Sequence, residues 1–210
     1  MLTARVRIYP APDKVAEARE FLTDWVKSAQ GQGENLALAQ RIYSSEGPAL
    51  IIPRRYDDLA AADARRRENL ASADWQGRLA TLSAMLREPI RQTLEESVVG
   101  LGAGLGPIGC VRRVFFVPAV DKVAQLRSIL TEFVQSRQAE GHGGIALAQT
   151  IFNENGPILI ASTVHADIAA LDQLRRERAA EAQALVNSVA GLLRAPVAVR
   201  LLEPIVPFPS

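Results

Sequence analysis

The run from Leu36 to Ile52, LALAQRIYSSEGPALII, is written a second time from Ile145 to Ala161 as IALAQTIFNENGPILIA. Each copy is an apolar stretch, a short polar turn closed by Gly-Pro, and a second apolar stretch. That pattern is a β-hairpin. A chain that repeats its hairpin so closely repeats whatever is built around it, and the flanks bear this out.

Ahead of the first hairpin, Arg5-Val6-Arg7-Ile8-Tyr9 alternates polar and apolar residues before Pro10, as a half-buried strand does. Pro12-Asp13 opens a helix, with Asp13 as the expected N-cap. Val15, Ala18, Leu22 and Val26, with Phe21 and Trp25 beside them, recur at helical spacing. Gly31 and Gly33 end the helix. After the hairpin, Asp57-Asp58 caps a second helical region running toward Arg87. Pro89 stops it, and Ile90 to Glu96 reads as a closing strand. The order is β-α-β-β-α-β.

The second half copies the first at nearly constant spacing. Asp13-Lys14-Val15-Ala16 recurs as Asp121-Lys122-Val123-Ala124, 108 residues on. Ala37-Leu38-Ala39-Gln40 recurs 109 on, so the glycine-rich turn Gly141-His142-Gly143-Gly144 has gained a residue. Pro89 and Pro196 lie 107 apart, so two residues are lost within the second helical region. A loss of two residues in a continuous helix rotates its buried stripe by about 200°. The second helix is therefore expected to be broken in the first half, with Asp74 capping a new segment from Trp75, and straighter in the second. Residues 99–111, with Gly100, Gly102, Gly104, Gly106 and Gly109, lead through Pro107 into a strand. A phosphate-binding loop leads into a helix, so this run reads as a linker. The tail from Pro204 to Ser210 is expected to be extended. The expected domains are 1–98, linker 99–111, 112–206 and tail 207–210.

A βαββαβ unit makes an antiparallel sheet with both helices on one face and leaves the other bare. Two tandem copies are expected to cover each other's bare faces. The expected class is α+β, two ferredoxin-like repeats forming a pseudo-two-fold barrel. Composition agrees with a packed core: 48% of residues are hydrophobic. A net charge of +1 gives no reason to expect nucleic acid or a membrane surface as partner. The N-terminal residues lack a signal-like apolar run, and Cys110 is the only cysteine. A cytoplasmic setting is the expectation.

The repeated Ala-Leu-Ala-Gln, the Gly-Pro turn, Asp57-Asp58-Leu59-Ala60-Ala61 and Asp74-Trp75-Gln76 with Met85-Leu86-Arg87-Glu88-Pro89 resemble the dimeric α/β-barrel superfamily. The likeness is to its antibiotic-biosynthesis-monooxygenase and NIPSNAP-like branches. It implies a small-molecule enzyme of aromatic or polyketide-like secondary metabolism, a cofactor-independent oxygenase or cyclase, with no metal and a possible homodimer. The superfamily also implies two alternatives: a non-catalytic ligand-binding or scaffold protein, and a haem protein using His165.

Site candidates follow from how the halves differ. Every Tyr and Trp lies in the first half and both histidines, His142 and His165, in the second. Alternation pairs Arg7 with Tyr9, Arg41 with Tyr43, and Arg54 with Tyr56 on shared strand faces. Their partners in the second half, such as Phe115, Thr150 and Thr163, are plainer. Arg7, Tyr9, Arg41 and Tyr43 are the expected substrate-binding set. Tyr56 and His165 stand at equivalent strand ends, either suited to proton transfer. Arg54 would hold an oxyanion. The resemblance adds Asn69, Trp75 and Arg91, after the Asn, Trp and Arg of the oxygenase branch. One site per chain, in the first half, is the expectation. His142 is read as exposed unless its loop is a lid, and the arginine clusters at 65–68 and 175–178 as solvated helix faces.

Overall fold

The computed structural model describes residues 1–102, 105–154 and 156–209. Gly104 of the glycine-rich run, Asn155 of the second turn and Ser210 of the tail lie outside them. The first βαββαβ set is β1 (Leu2–Ile8), α1 (Val15–Gly31), β2 (Leu38–Ile42), β3 (Ala49–Tyr56), α2 (Leu59–Ala71), α3 (Ala73–Ser83) and β4 (Arg91–Val99). The second is β5 (Cys110–Phe116), α4 (Val123–Ala139), β6 (Ile145–Ile151), β7 (Leu159–His165), α5 (Ile168–Glu177), α6 (Ala179–Val189) and β8 (Ala198–Val206). Hydrogen bonding orders the strands β1-β3-β2-β8-β5-β7-β6-β4 and closes them as a barrel. Two compact units share the chain: residues 1–95 with 204–210, and residues 96–203.

In the first unit β1 and β3 run antiparallel from Leu2↔Tyr56 to Ile8↔Leu50. Alternation sends Ile8, Leu50 and Ile52 toward the helices, where they bury against Leu22, Val26 and Leu82. Fully burying a leucine contributes about 1.5–3 kcal/mol. In the second unit β5 and β7 run from Cys110↔His165 to Phe116↔Leu159. Val114, Phe116 and Leu159 there meet Leu126, Leu130 and Val189.

Several local expectations need correction. Residues Pro12–Lys14 and Val120–Lys122 form 3-10 turns ahead of α1 and α4, and neither Asp13 nor Asp121 caps. Asp58 does cap, its side chain accepting from the Ala61 N–H at 2.8 Å. The break in the first half is capped by Ser72, which accepts from the Trp75 N–H. Asp74 instead sits in the first turn of α3 and pairs with Arg78. The second half is also broken, at Arg178, but its backbone (φ −117°, ψ 20°) leaves the helix far less abruptly than extended Ser72. The tail is strand as far as Val206. Beyond it the Arg55 guanidinium lies 3.9 Å from the Phe208 ring centroid, and Gln30 donates to the Pro207 carbonyl.

Candidate functional site

A cavity of about 540 Å³ opens in the second unit between the helix-facing side of β5 and β7 and the helices α4, α5 and α6. Val114, Phe116, Phe133, Ala161 and Leu185 make its wall mostly apolar. Polar groups enter at the strand ends. Arg112 lies across from Thr163, and His165 across from Cys110, so alternation puts Arg112 and His165 on the same face as diagonal neighbours. His165 Nε2 lies 2.9 Å from Thr163 Oγ1. Gly109 donates its N–H to the His165 carbonyl at 3.0 Å, fixing the strand end that carries the imidazole. A Cβ on Gly109 would stand 2.1 Å from the Ala166 carbonyl oxygen, so no larger residue fits that approach.

Burial, and then the positive charge of Arg112, push the His165 imidazole below its ordinary pKa. Burial likewise lowers Arg112. A neutral imidazole beside a cation in an apolar chamber is a proton acceptor next to an anion holder. Elsewhere on the wall, Arg137 pairs with Glu140 and Glu181, each at 2.7 Å. Arg178 donates to His142 Nε2. His142 is thus a half-buried lining residue and not an exposed one.

The corresponding part of the first unit is narrower and more polar. Arg54 and Tyr56, two strand positions apart, lie on the helix-facing side of β3, where Thr163 and His165 lie on β7. The Glu34 carboxylate is clamped between Arg54 and Arg65. Arg65 is therefore not a solvated surface group. Tyr56 has its phenol pushed above the ordinary value by burial, opposed by Arg54. Asn69 and Trp75 line a smaller, polar cleft of about 260 Å³ with Trp25, Glu34 and Arg65.

The other candidates line neither cavity. Tyr9 is buried, with the Arg41, Arg87 and Arg91 guanidinium carbons 5.5–6.0 Å from its ring centroid. Arg41 is buried and pairs with Glu46 at 2.6 Å. Arg7 donates to Thr93 at 3.3 Å on the sheet face away from the helices. Arg91 is exposed and held by Glu88 at 3.0 Å. Tyr43 is 84% exposed at φ 51°, so it joins no pocket. None of the sequence candidates was Arg112. It stood in an ordinary strand run, and only the register with β7 puts it next to His165.

Among the described residues no group of three or more His, Cys, Asp or Glu is placed to hold a metal, and no helix is long and apolar enough to cross a membrane. No protein-family model matches the sequence, and no curated protein matches it. Solved structures do match in shape. A candidate monooxygenase from Fusobacterium nucleatum aligns with a TM-score of 0.73 at 13% identity, over 97% of this chain and 92% of that one. An anthrone oxidase-like protein aligns at 0.66 and 15%, over 99% and 92%. A ferredoxin-fold protein from Listeria monocytogenes, related to antibiotic biosynthesis monooxygenases, aligns at 0.50 and 9%, over 100% and 96%. The chain has the fold of these proteins, the ferredoxin-like dimeric α/β barrel.

Proposed function

We propose that the protein is a small-molecule oxidoreductase whose reaction chamber is the cavity of the second unit. The observation that carries this is Arg112 beside His165 at one end of an otherwise apolar wall. The monooxygenase-like and anthrone oxidase-like names of its fold neighbours support the same reading. The substrate class is an aromatic, polyketide-like compound with an acidic C–H next to a phenol or ketone. His165, neutral at physiological pH, takes the C–H proton. The electron pair delocalises onto the substrate oxygen, and Arg112 holds that charge. Dioxygen is the co-reactant. The carbanion adds to it to give a peroxide at carbon. Loss of the second C–H proton and cleavage of the O–O bond leave a carbonyl, the other oxygen departing as water. One CH₂ and one O₂ thus become one C=O and one H₂O, with no protein-bound cofactor. The first unit, with its smaller polar cleft, is a structural copy, and the reducing cytoplasm is the expected compartment.

Oxygen uptake with anthrone substrates tests the reading. Stoichiometric uptake, abolished by His165→Ala, is the expected result. Substrate consumption without oxygen would make the protein a cyclase using the same proton transfer. Thermal stabilisation without turnover would make it a binding protein. A Soret band in the purified protein would bring in haem on His165.

A further inference from the structure

The two units place one arginine on the same rung of their first-to-third strand ladder, but on opposite strands. In the first unit the rung is Ala4↔Arg54. In the second it is Arg112↔Thr163. Both arginines point to the helix side, where the wall of the second unit's cavity lies. What they meet differs. Arg54 meets Glu34, which Arg65 holds from the other side. Glu34 hangs from a backbone bond, its N–H donating to the Ala29 carbonyl at 3.1 Å. The equivalent bond in the second unit runs from the His142 N–H to the Arg137 carbonyl at 2.9 Å. His142 therefore stands where Glu34 stands, with Gly143 and Gly144 following it. At the position of Arg65, 109 residues on, is Leu174, another wall residue.

So the first unit carries its own carboxylate and the second has lost it. Four arginines line the second cavity, Arg112, Arg137, Arg175 and Arg178, against one carboxylate, Glu181. Glu181 is spent on Arg137 and Arg178, and Arg175 pairs with Asp172. Among the described residues no carboxylate lies within ion-pair distance of Arg112. A half-buried guanidinium in an apolar chamber is stabilised by an anion brought close to it.

We infer that the second unit's cavity receives an external anion: the carboxylate or phenolate of an otherwise apolar ligand takes, on Arg112, the part that Glu34 takes on Arg54. This rests on that cavity being the functional site and names the charge its ligand carries on entry. The aromatic body lies along Phe116, Phe133 and Leu185, and the charged end meets Arg112 and His165.

The test is calorimetric binding of naphthoate and of the isosteric neutral naphthylmethanol to the full chain at low salt. Naphthoate is expected to bind about tenfold tighter or better, the scale of one charge-assisted hydrogen bond. Arg112→Gln is expected to bring naphthoate to the level of the alcohol. Arg112→Lys, which keeps the charge, is expected to retain part of the preference. Melting curves of both variants show that they are folded. His142→Glu, which returns a carboxylate to the position of Glu34, is expected to weaken naphthoate selectively. Equal affinities in the wild type, a preference that survives Arg112→Gln, or no binding of either compound overturns the inference. Anion-selective binding without oxygen uptake sinks the oxygenase reading alone. Turnover of anthrones with no charge preference sinks this inference alone.

Discussion

Trp25 on α1 meets Trp75 on α3 edge to face, ring centroids 5.0 Å apart and planes at 62°. They are the only tryptophans, so both report on the first unit. Trp75→Ala removes the contact and opens space beside the Ser72 break. It is expected to cost about 2 kcal/mol, read as a lower urea midpoint with reduced near-ultraviolet dichroism. Ligand binding in the second unit should persist.

Asp58 and Asp167 perform one job in two places, each accepting from the N–H three residues on, at 2.8 and 2.7 Å. Replacing either with alanine is expected to destabilise by about 1 kcal/mol. The double variant is expected to lose close to the sum, because the sites share no partner. Thermal melts of the three variants check this.

Glu34→Ala leaves Arg54 and Arg65 facing each other without their shared carboxylate. Breaking a largely buried pair from one side is expected to cost about 3 kcal/mol. Glu34→Gln, which keeps shape and loses charge, should fall between it and the wild type in chemical denaturation.

The pH profile should carry the mark of His165. Its depressed pKa keeps the imidazole neutral below the ordinary value of about 6.5, so the acid limb of turnover is expected below that pH. Arg112→Gln removes a neighbouring positive charge and should move the limb upward. For stability the sign is the usual one for a depressed base. The unfolded chain takes up the proton first, so this contribution is flat above about pH 6.5 and turns destabilising as pH falls toward the folded value. Proton NMR titration of the imidazole in both proteins measures it directly.

Gly109→Ala is expected to distort the end of β7, because its methyl group would overlap the Ala166 carbonyl. A cost of about 1–3 kcal/mol should accompany weaker binding in the cavity, whereas Gly100→Ala, with open space around it and off the cavity wall, should leave both unchanged.

The duplicated hairpin made the element order readable, since Gly47 and Gly156 each adopt the positive φ the turn needs. Residue spacing also exposed the helix break, although it misassigned the cap. Ser72 and Asp74 are both good caps, and only the extended backbone at Ser72 decides between them. The site was less legible for a different reason. A richness of Arg, Tyr and Trp in one half suggested a pocket there. In the structure Arg54 and Arg41 are taken up by Glu34 and Glu46, Trp25 meets Trp75, and the cleft there is the smaller, polar one. Open volume arises where large or charged residues are missing, at Gly143, Leu174 and Thr163. Absence of bulk leaves little trace in a residue pattern. His165 was visible as a strand-end histidine, whereas Arg112 needed its register with Thr163, 51 residues further along the chain.

Residues Pro204 to Pro209 belong to the first compact unit, although the ribosome makes them after the whole of the second. Gln30 and Arg55 must wait for Pro207 and Phe208. Maturation of the earlier unit during synthesis is therefore deferred to the end of translation. A gene fragment cut at the boundary between the written repeats would deliver one unit lacking a strand end and the other carrying a stray one.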